Sequence, residues 1–231
     1  MRKREVRRIT TTLLSFVEKP LLQWLVARLP RWVKPDLLTI LGLFGSLMTG
    51  LGYYLSSSHN AYLWLASFGL FVNWFGDSLD GTLARYRKIE RPRYGFYIDH
   101  AIDTITIVLI GIGAGLSPYA RFDIALFALI GYLMMSILVY LNTFVSGVFR
   151  IAFYGFGPTE IRIFIVLINT IIFFHGAGKF QFRGMDITVL DAAAIFLTCV
   201  LFIFYIVSVI VDGRKLQKEE KKEQEDSRES R

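Results

Sequence analysis

Cysteine is almost missing from this 231-residue chain: Cys199 stands alone in an apolar run, which excludes a disulfide framework and makes the residue a packing one. Charge is scarce as well, and unevenly so. Charged residues make up 19% of the chain against 54% hydrophobic ones, too apolar a balance for a soluble domain or a disordered polymer. Of the 45 charged side chains (26 basic, 19 acidic), residues 1 to 36 hold 12 and residues 212 to 231 hold 14, leaving 19 for the 175 residues between. Ten of those 19 crowd between Asp77 and Asp103. An otherwise charge-poor middle with one knot of charge is the feature that any functional reading must explain.

The apolar runs are long enough to cross a hydrocarbon core, which needs roughly 20 residues of helix. Six are visible: Leu37 to Leu55, Ala61 to Leu79, Gly95 to Leu116, Phe122 to Val145, Ile161 to His175 and Leu190 to Val211. The fold class expected is therefore an all-α integral membrane protein of six transmembrane helices. It divides into a cytoplasmic amphipathic segment (1–36), the membrane domain (37–211) and a charged cytoplasmic tail (212–231). Lys and Arg counts set the orientation: with both termini cytoplasmic, that side carries 23 and the other only Arg121, Lys179 and Arg183. The net charge of +7 is then a topology signal, and a nucleic-acid partner is not needed to explain it. The basic start Arg2-Lys3-Arg4 lacks an apolar core directly behind it, so no cleaved signal peptide is expected. Leu14, Val17, Leu21, Leu25 and Leu29 recur at helical spacing with Trp24 and Trp32 nearby, a juxtamembrane helix lying on the surface or, equally, a plain basic anchor.

Four carboxylates sit in or beside the expected spans. Asp77 and Asp80 are three residues apart, Asp99 and Asp103 four apart, so each pair shares one helix face. The second span runs toward the cytoplasm and the third runs back, which brings both pairs to the cytoplasmic ends of adjacent helices. Uncompensated, each acid at mid-membrane would cost on the order of 2.5–3.5 kcal/mol. Two facing carboxylate pairs make an oxygen cage suited to Mg²⁺ or Mn²⁺. Gly81 and Ala84 share the face of Asp77 and Asp80, Gly95 lies one turn before Asp99, and all three leave room for a ligand. The segment from Arg85 to Arg93 reads as an anion-binding lip. Carboxylates, a divalent cation and a basic lip suit a diphosphate, and Asp103, deepest in its span, is best placed to take a proton from an attacking alcohol.

The spacing Asp77-x-x-Asp80-Gly81-x-x-Ala84-Arg85, nine residues, then Gly95-x-x-x-Asp99-x-x-x-Asp103 resembles the signature of the CDP-alcohol phosphatidyltransferase family. That family usually has eight residues in the gap, so this chain carries one more in the basic loop. Val33-Lys34-Pro35-Asp36-Leu37-Leu38-Thr39 also resembles the Pro-Asn-x-x-Thr segment that opens the family's first span. The likeness covers roughly residues 15 to 211. It implies a two-metal site on Asp77, Asp80 and Asp99, with Asp103 as general base and within reach of the metals. It also implies Gly81, Ala84, Arg85 and Gly95 beside the CDP moiety, with Thr39 near it, and a homodimer. The implied reaction moves a substituted phosphate from a CDP-linked donor to an alcohol, one of the two being a lipid, with release of CMP.

Asp99-His100 and Gly157-Pro158-Thr159-Glu160-Ile161 resemble choline/ethanolamine phosphotransferases, which join CDP-choline or CDP-ethanolamine to diacylglycerol. The alternative is phosphatidyl transfer from CDP-diacylglycerol to glycerol phosphate, inositol phosphate or serine. Arg93, Arg150, Glu160 and Arg162 are candidate phosphate or head-group contacts, or else positive-inside residues and a helix N-terminal acid. His100 reads as a neighbour of the ligands more than as a ligand. Gly111, Gly113 and Gly115 read as close helix packing. An ion channel or transporter lined by the acids is the rival class, disfavoured because all four acids cluster at one end and no inverted repeat is visible.

Overall fold

The computed structural model describes residues 7–9, 13–146, 148–150, 157–182 and 184–229. Among these, seven helices dominate: α1 (Ser15–Val26), α2 (Pro35–Leu55), α3 (Tyr62–Tyr86), α4 (Pro92–Gly115), α5 (Phe122–Ser146), α6 (Pro158–His175) and α7 (Val189–Glu229). Two small strand pairs accompany them. β1 (Arg7–Ile9) runs parallel to β2 (Val148–Arg150), and β3 (Lys179–Phe182) forms an antiparallel hairpin with β4 (Met185–Thr188) between α6 and α7. Pro35, Pro92 and Pro158 each stand at the start of a helix, where a missing N–H costs nothing and the fixed φ suits the first turn.

Helices α2, α4, α5, α6 and α7 are each long and apolar enough to cross a membrane. The chain is a multi-pass helical membrane protein. The expected second span, Ala61 to Leu79, falls on α3 and its N-cap Ala61, and α3 is not one of those five; Asn73 and Asp77 dilute its apolar character. The burial pattern gives the reason. α3 packs against α1, α2 and α6 and buries its polar residues Asn73 and Asp80 there, while Trp64, Phe68 and Phe71 keep an exposed apolar face. A helix with one face against other helices can carry polar residues on that face.

Small residues set the spacing of α2 against α3. A Cβ on Gly76 would overlap the backbone of Gly42 and the carbonyl oxygen of Leu38, and one on Gly45 would lie 2.7 Å from the carbonyl oxygen of Gly69. Thr49 adds a hydroxyl bond across the same seam, to the carbonyl oxygen of Ala66 at 3.2 Å. Further from the site, Tyr53 donates to Asn169 Oδ1 at 2.9 Å and Asn169 Nδ2 to Ser67 Oγ at 3.1 Å, which joins α2, α3 and α6 through a fully paired buried network. As the sequence suggested, the glycines of α4 serve packing: Gly113 abuts Gly50 of α2, and Gly111 and Gly115 face Leu129 and Phe122 of α5.

Contacts sort the connections into two ends. At one, Arg91 pairs with Asp36, Asn142 Nδ2 donates to Asp212 Oδ2 at 2.8 Å, and the Leu14 N–H donates to Glu160 Oε1 at 2.9 Å. At the other, the Arg121 N–H donates to Asp191 Oδ1 at 2.7 Å and Thr188 Oγ1 to the carbonyl oxygen of Tyr119 at 2.6 Å. Helices α2 to α7 therefore alternate between these ends, and α1 shares an end with the tail. Of the basic residues used to read orientation, Arg2, Lys3, Arg4, Arg183 and Arg231 lie outside the described residues.

The tail from 212 onward continues the last helix: α7 runs unbroken to Glu229, since Lys, Glu and Gln are good helix formers, no proline intervenes, and Lys215 reaches Glu219 one turn on. The N-terminal helix divides its apolar residues between two faces. Leu22 and Val26 are its buried residues, packed with Leu25 and Leu29 against Leu79, Leu83 and Trp74, while Val17 and Leu21 face outward with Phe16 and Trp24. Two apolar faces on one helix produce this outcome: α3 takes one and leaves the other exposed.

Candidate active site

The four acids converge. Asp77, Asp80, Asp99 and Asp103 line one cleft between α2, α3 and α4, together with Thr39, Gly42, Asn73, Ile102 and Thr106. The helical periods anticipated in the sequence produce the arrangement. Asn73, Asp77 and Asp80 recur on α3 at intervals of four and three, Asp99, Asp103 and Thr106 on α4 in the same way, and the close α2–α3 crossing brings Thr39 to meet them. Asp80 accepts from Thr39 Oγ1 at 2.6 Å through Oδ2 and from the Gly81 N–H through Oδ1. Asp77 Oδ2 accepts from Arg162 Nη2 at 2.7 Å, a pair whose side chains are 13% (Arg162) and 24% (Asp77) exposed. Arg162, on α6, thus supplies a cation to a cleft that holds four carboxylates.

Asp99 Oδ2 lies 3.2 Å from His100 Nδ1. The imidazole is sandwiched between Phe96, with ring centroids 4.1 Å apart, and Tyr140 at 5.2 Å, so its direction is fixed by packing. Asp99, His100 and Asp103 each offer an atom within 4.8 Å of the other two, close enough to share one ion.

The donor set fits a hard divalent cation. It is predominantly oxygen, its four acids outnumber the one contacting guanidinium, and Asn73 Oδ1 is buried there without a hydrogen-bond partner among the described residues. Leaving such an acceptor unpaired costs about 1–3 kcal/mol, which a cation or its hydration water offsets.

Gly81 lies under the guanidinium of Arg85: a Cβ there would meet Arg85 Nη1 at 3.3 Å, and Arg85 donates to Thr82 Oγ1 at 3.2 Å. Ala84, Arg85, Gly95 and Arg93 do not line the cleft, although nothing lies within 4 Å of a Cβ on Gly95. The basic lip is largely spent on structure. Arg87 donates to the carbonyl oxygens of Leu29, Pro30, Arg31 and Val33, clasping the turn between α1 and α2, while Arg91 is held by Asp36 and stacks 4.2 Å above the ring of Tyr94. Glu160 caps its own helix through the Gly157 N–H at 2.9 Å and receives the Leu14 N–H, a structural use of both oxygens. The side chain of Arg150 lies outside the described residues.

Three residues the sequence reading passed over matter here. Asn73 and Thr106 line the floor of the cleft, and their spacing of four from Asp77 and three from Asp103 was the available signal. Glu18 of α1 had no such signal. Its Oε1 accepts from Trp74 Nε1 at 2.8 Å, Thr159 Oγ1 at 2.8 Å and Ser78 Oγ at 3.3 Å, joining α1, α3 and α6 beside the Arg162–Asp77 pair.

The family model described as CDP-alcohol phosphatidyltransferase matches residues 32–206. Cholinephosphotransferase 1 of Bos taurus is 30% identical over 193 residues, covering 79% of this chain and 47% of its own length, and that of Homo sapiens is 28% identical over the same coverage. The chain thus spans about half the length of the curated relatives it matches. Archaetidylinositol phosphate synthase of Pyrococcus horikoshii is 33% identical over 104 residues, 45% of this chain and 52% of that one. The match covers the acid cleft and α2 to α6 whole, and the chain belongs to the CDP-alcohol phosphatidyltransferase family.

Proposed function

We propose that the protein transfers a substituted phosphate from a CDP-linked donor to an alcohol, releasing CMP, in phospholipid synthesis. The observation that carries this reading is the convergence of Asp77, Asp80, Asp99 and Asp103 in one cleft at the end of the bundle that also holds α1 and the tail. Asp77, Asp80 and Asp99 would hold two divalent cations, Mg²⁺ or Mn²⁺, which would supply positive charge to offset that of the diphosphate. Thr39 fixes the rotamer of Asp80, and Arg162 fixes that of Asp77. Asp103 takes the proton of the attacking hydroxyl. The alcohol oxygen forms a bond to the phosphorus that carries the head group, and the bond from that phosphorus to the oxygen of CMP breaks, so CMP leaves with the electron pair.

The substrate pair we favour is CDP-choline or CDP-ethanolamine with diacylglycerol. Its support is the Asp99-His100 pair and the cholinephosphotransferase relatives. The Pyrococcus relative favours a second reading, transfer from a CDP-linked lipid to a polar phosphorylated alcohol. The proposed setting is the cytoplasmic membrane, with α3 as a sixth span, both termini and the cleft cytoplasmic, supported by the bias of 23 basic residues to 3. The proposed assembly is a homodimer, as the family resemblance implies. Purified protein with Mn²⁺ is given CDP-choline plus diacylglycerol, or CDP-diacylglycerol plus inositol phosphate, and CMP is measured. The first pair yields CMP if the favoured reading holds; CMP from the second pair alone reverses the assignment.

A further inference from the structure

Beneath the four carboxylates the cleft has a floor, and its chemistry is distinct. Asn73 lies four residues before Asp77 on α3, one turn or about 6 Å deeper in the bundle. It is 2% exposed. Its Nδ2 donates to the carbonyl oxygen of Gly42 at 2.9 Å, which pins the amide and fixes which atom is the oxygen. Oδ1 is consequently turned to an acceptor's role, and it is buried with no hydrogen-bond partner among the described residues.

Among the described residues no side chain of the cleft donates to that oxygen: Thr39 Oγ1 is committed to Asp80 and Thr106 Oγ1 to Ser46 Oγ at 3.3 Å. Whatever satisfies Asn73 must arrive with the ligand, as a cation or as a water that a cation holds. A neutral amide oxygen is a suitable ligand for a hard divalent ion, and it adds an oxygen without adding a fifth carboxylate.

We propose that Asn73 belongs to the divalent-metal site, its Oδ1 contacting the ion directly or through a metal-held water at the floor of the cleft. This rests on the reading of the acids as metal ligands. The two replacements that decide it are Asn73→Leu and Asn73→Asp. Both lose the donor to Gly42, and only the aspartate keeps an oxygen. Mn²⁺ binding to the full chain in detergent, without substrate, is measured by the electron paramagnetic resonance of the free ion, alongside melting to verify folding. N73L lowers Mn²⁺ affinity about tenfold or more, the usual effect of losing a residue that supports a metal site, and N73D keeps at least the native affinity. Native affinity in N73L, or an equal fall in both variants, overturns the proposal and leaves Asn73 as a strut for the α2–α3 seam. If N73L does not fold, N73A removes the same oxygen without added bulk, and native affinity there is equally fatal. D77N separates the two levels: if it too binds Mn²⁺ as the native chain does, the metal-site reading itself fails, whereas its loss beside an unaffected N73L removes only the role of Asn73.

Discussion

Replacing Arg162 by methionine removes the cation from a pair buried between α3 and α6 and leaves Asp77 facing three other carboxylates. Truncating one partner of a buried ion pair costs about 3–5 kcal/mol, chiefly because the remaining charge is stranded. Asp77 is 24% exposed, so some water reaches it and the lower end, about 3 kcal/mol, applies. For a chain of this size that is a fall in Tm of roughly 6–12 °C. The assay is melting of chelator-treated protein in detergent, so that no added ion can take the place of the guanidinium. The double variant Asp77→Asn with Arg162→Met carries no stranded charge and should recover most of the loss, a coupling of about 2 kcal/mol or more. A single variant that melts with the native protein, or a double variant whose loss is the sum of the two singles, would refute the claim that this pair is the local balance of charge.

Three further outcomes follow from contacts around the cleft. Gly76→Ala places a methyl group in the backbone of Gly42, forcing α2 from α3; we expect about 1–3 kcal/mol of destabilisation and at least a roughly tenfold loss of CMP release as Thr39 parts from Asp80. Arg87→Ala strips the turn between α1 and α2 of its clasp on four carbonyl groups, which limited proteolysis should reveal as faster cleavage near residues 29–33, with Mn²⁺ affinity unchanged. Glu18→Ala deprives Trp74, Ser78 and Thr159 of a shared acceptor and should lower stability by about 1–3 kcal/mol; Glu18→Gln, which keeps an acceptor oxygen, should melt close to the native protein.

How much of this was legible in advance depended on whether a feature is periodic. The acid pairs were, because intervals of three and four place side chains on one helix face whatever else the chain does. Helix positions were legible for the same reason, with Pro35, Pro92 and Pro158 fixing their starts more sharply than the apolar runs did. What escaped was tertiary. The segment from Arg85 to Arg93 looks like an anion site by composition, yet Arg87 and Arg91 meet carbonyl groups and a carboxylate of a connection more than fifty residues earlier, and no local pattern encodes that meeting. The guanidinium of Arg85 rests over Gly81, a contact that no residue spacing encodes. α3 fell short of the hydropathy of a span because one of its faces meets other helices, a fact about packing order that composition does not carry. Glu18 sat in a basic, amphipathic stretch where one acid draws no notice, although it accepts bonds from two helices.

The central claim is that the acid cleft performs metal-dependent transfer, and the most direct test is CMP release by the native chain and by Asp77→Ala, Asp80→Ala, Asp99→Ala and Asp103→Asn, each with Mn²⁺ or with chelator. The account predicts CMP from the native chain only with metal and none from the three alanine variants, while Asp103→Asn retains Mn²⁺ binding and loses turnover. Full activity in any of the alanine variants, or CMP release that persists in chelator, would contradict it.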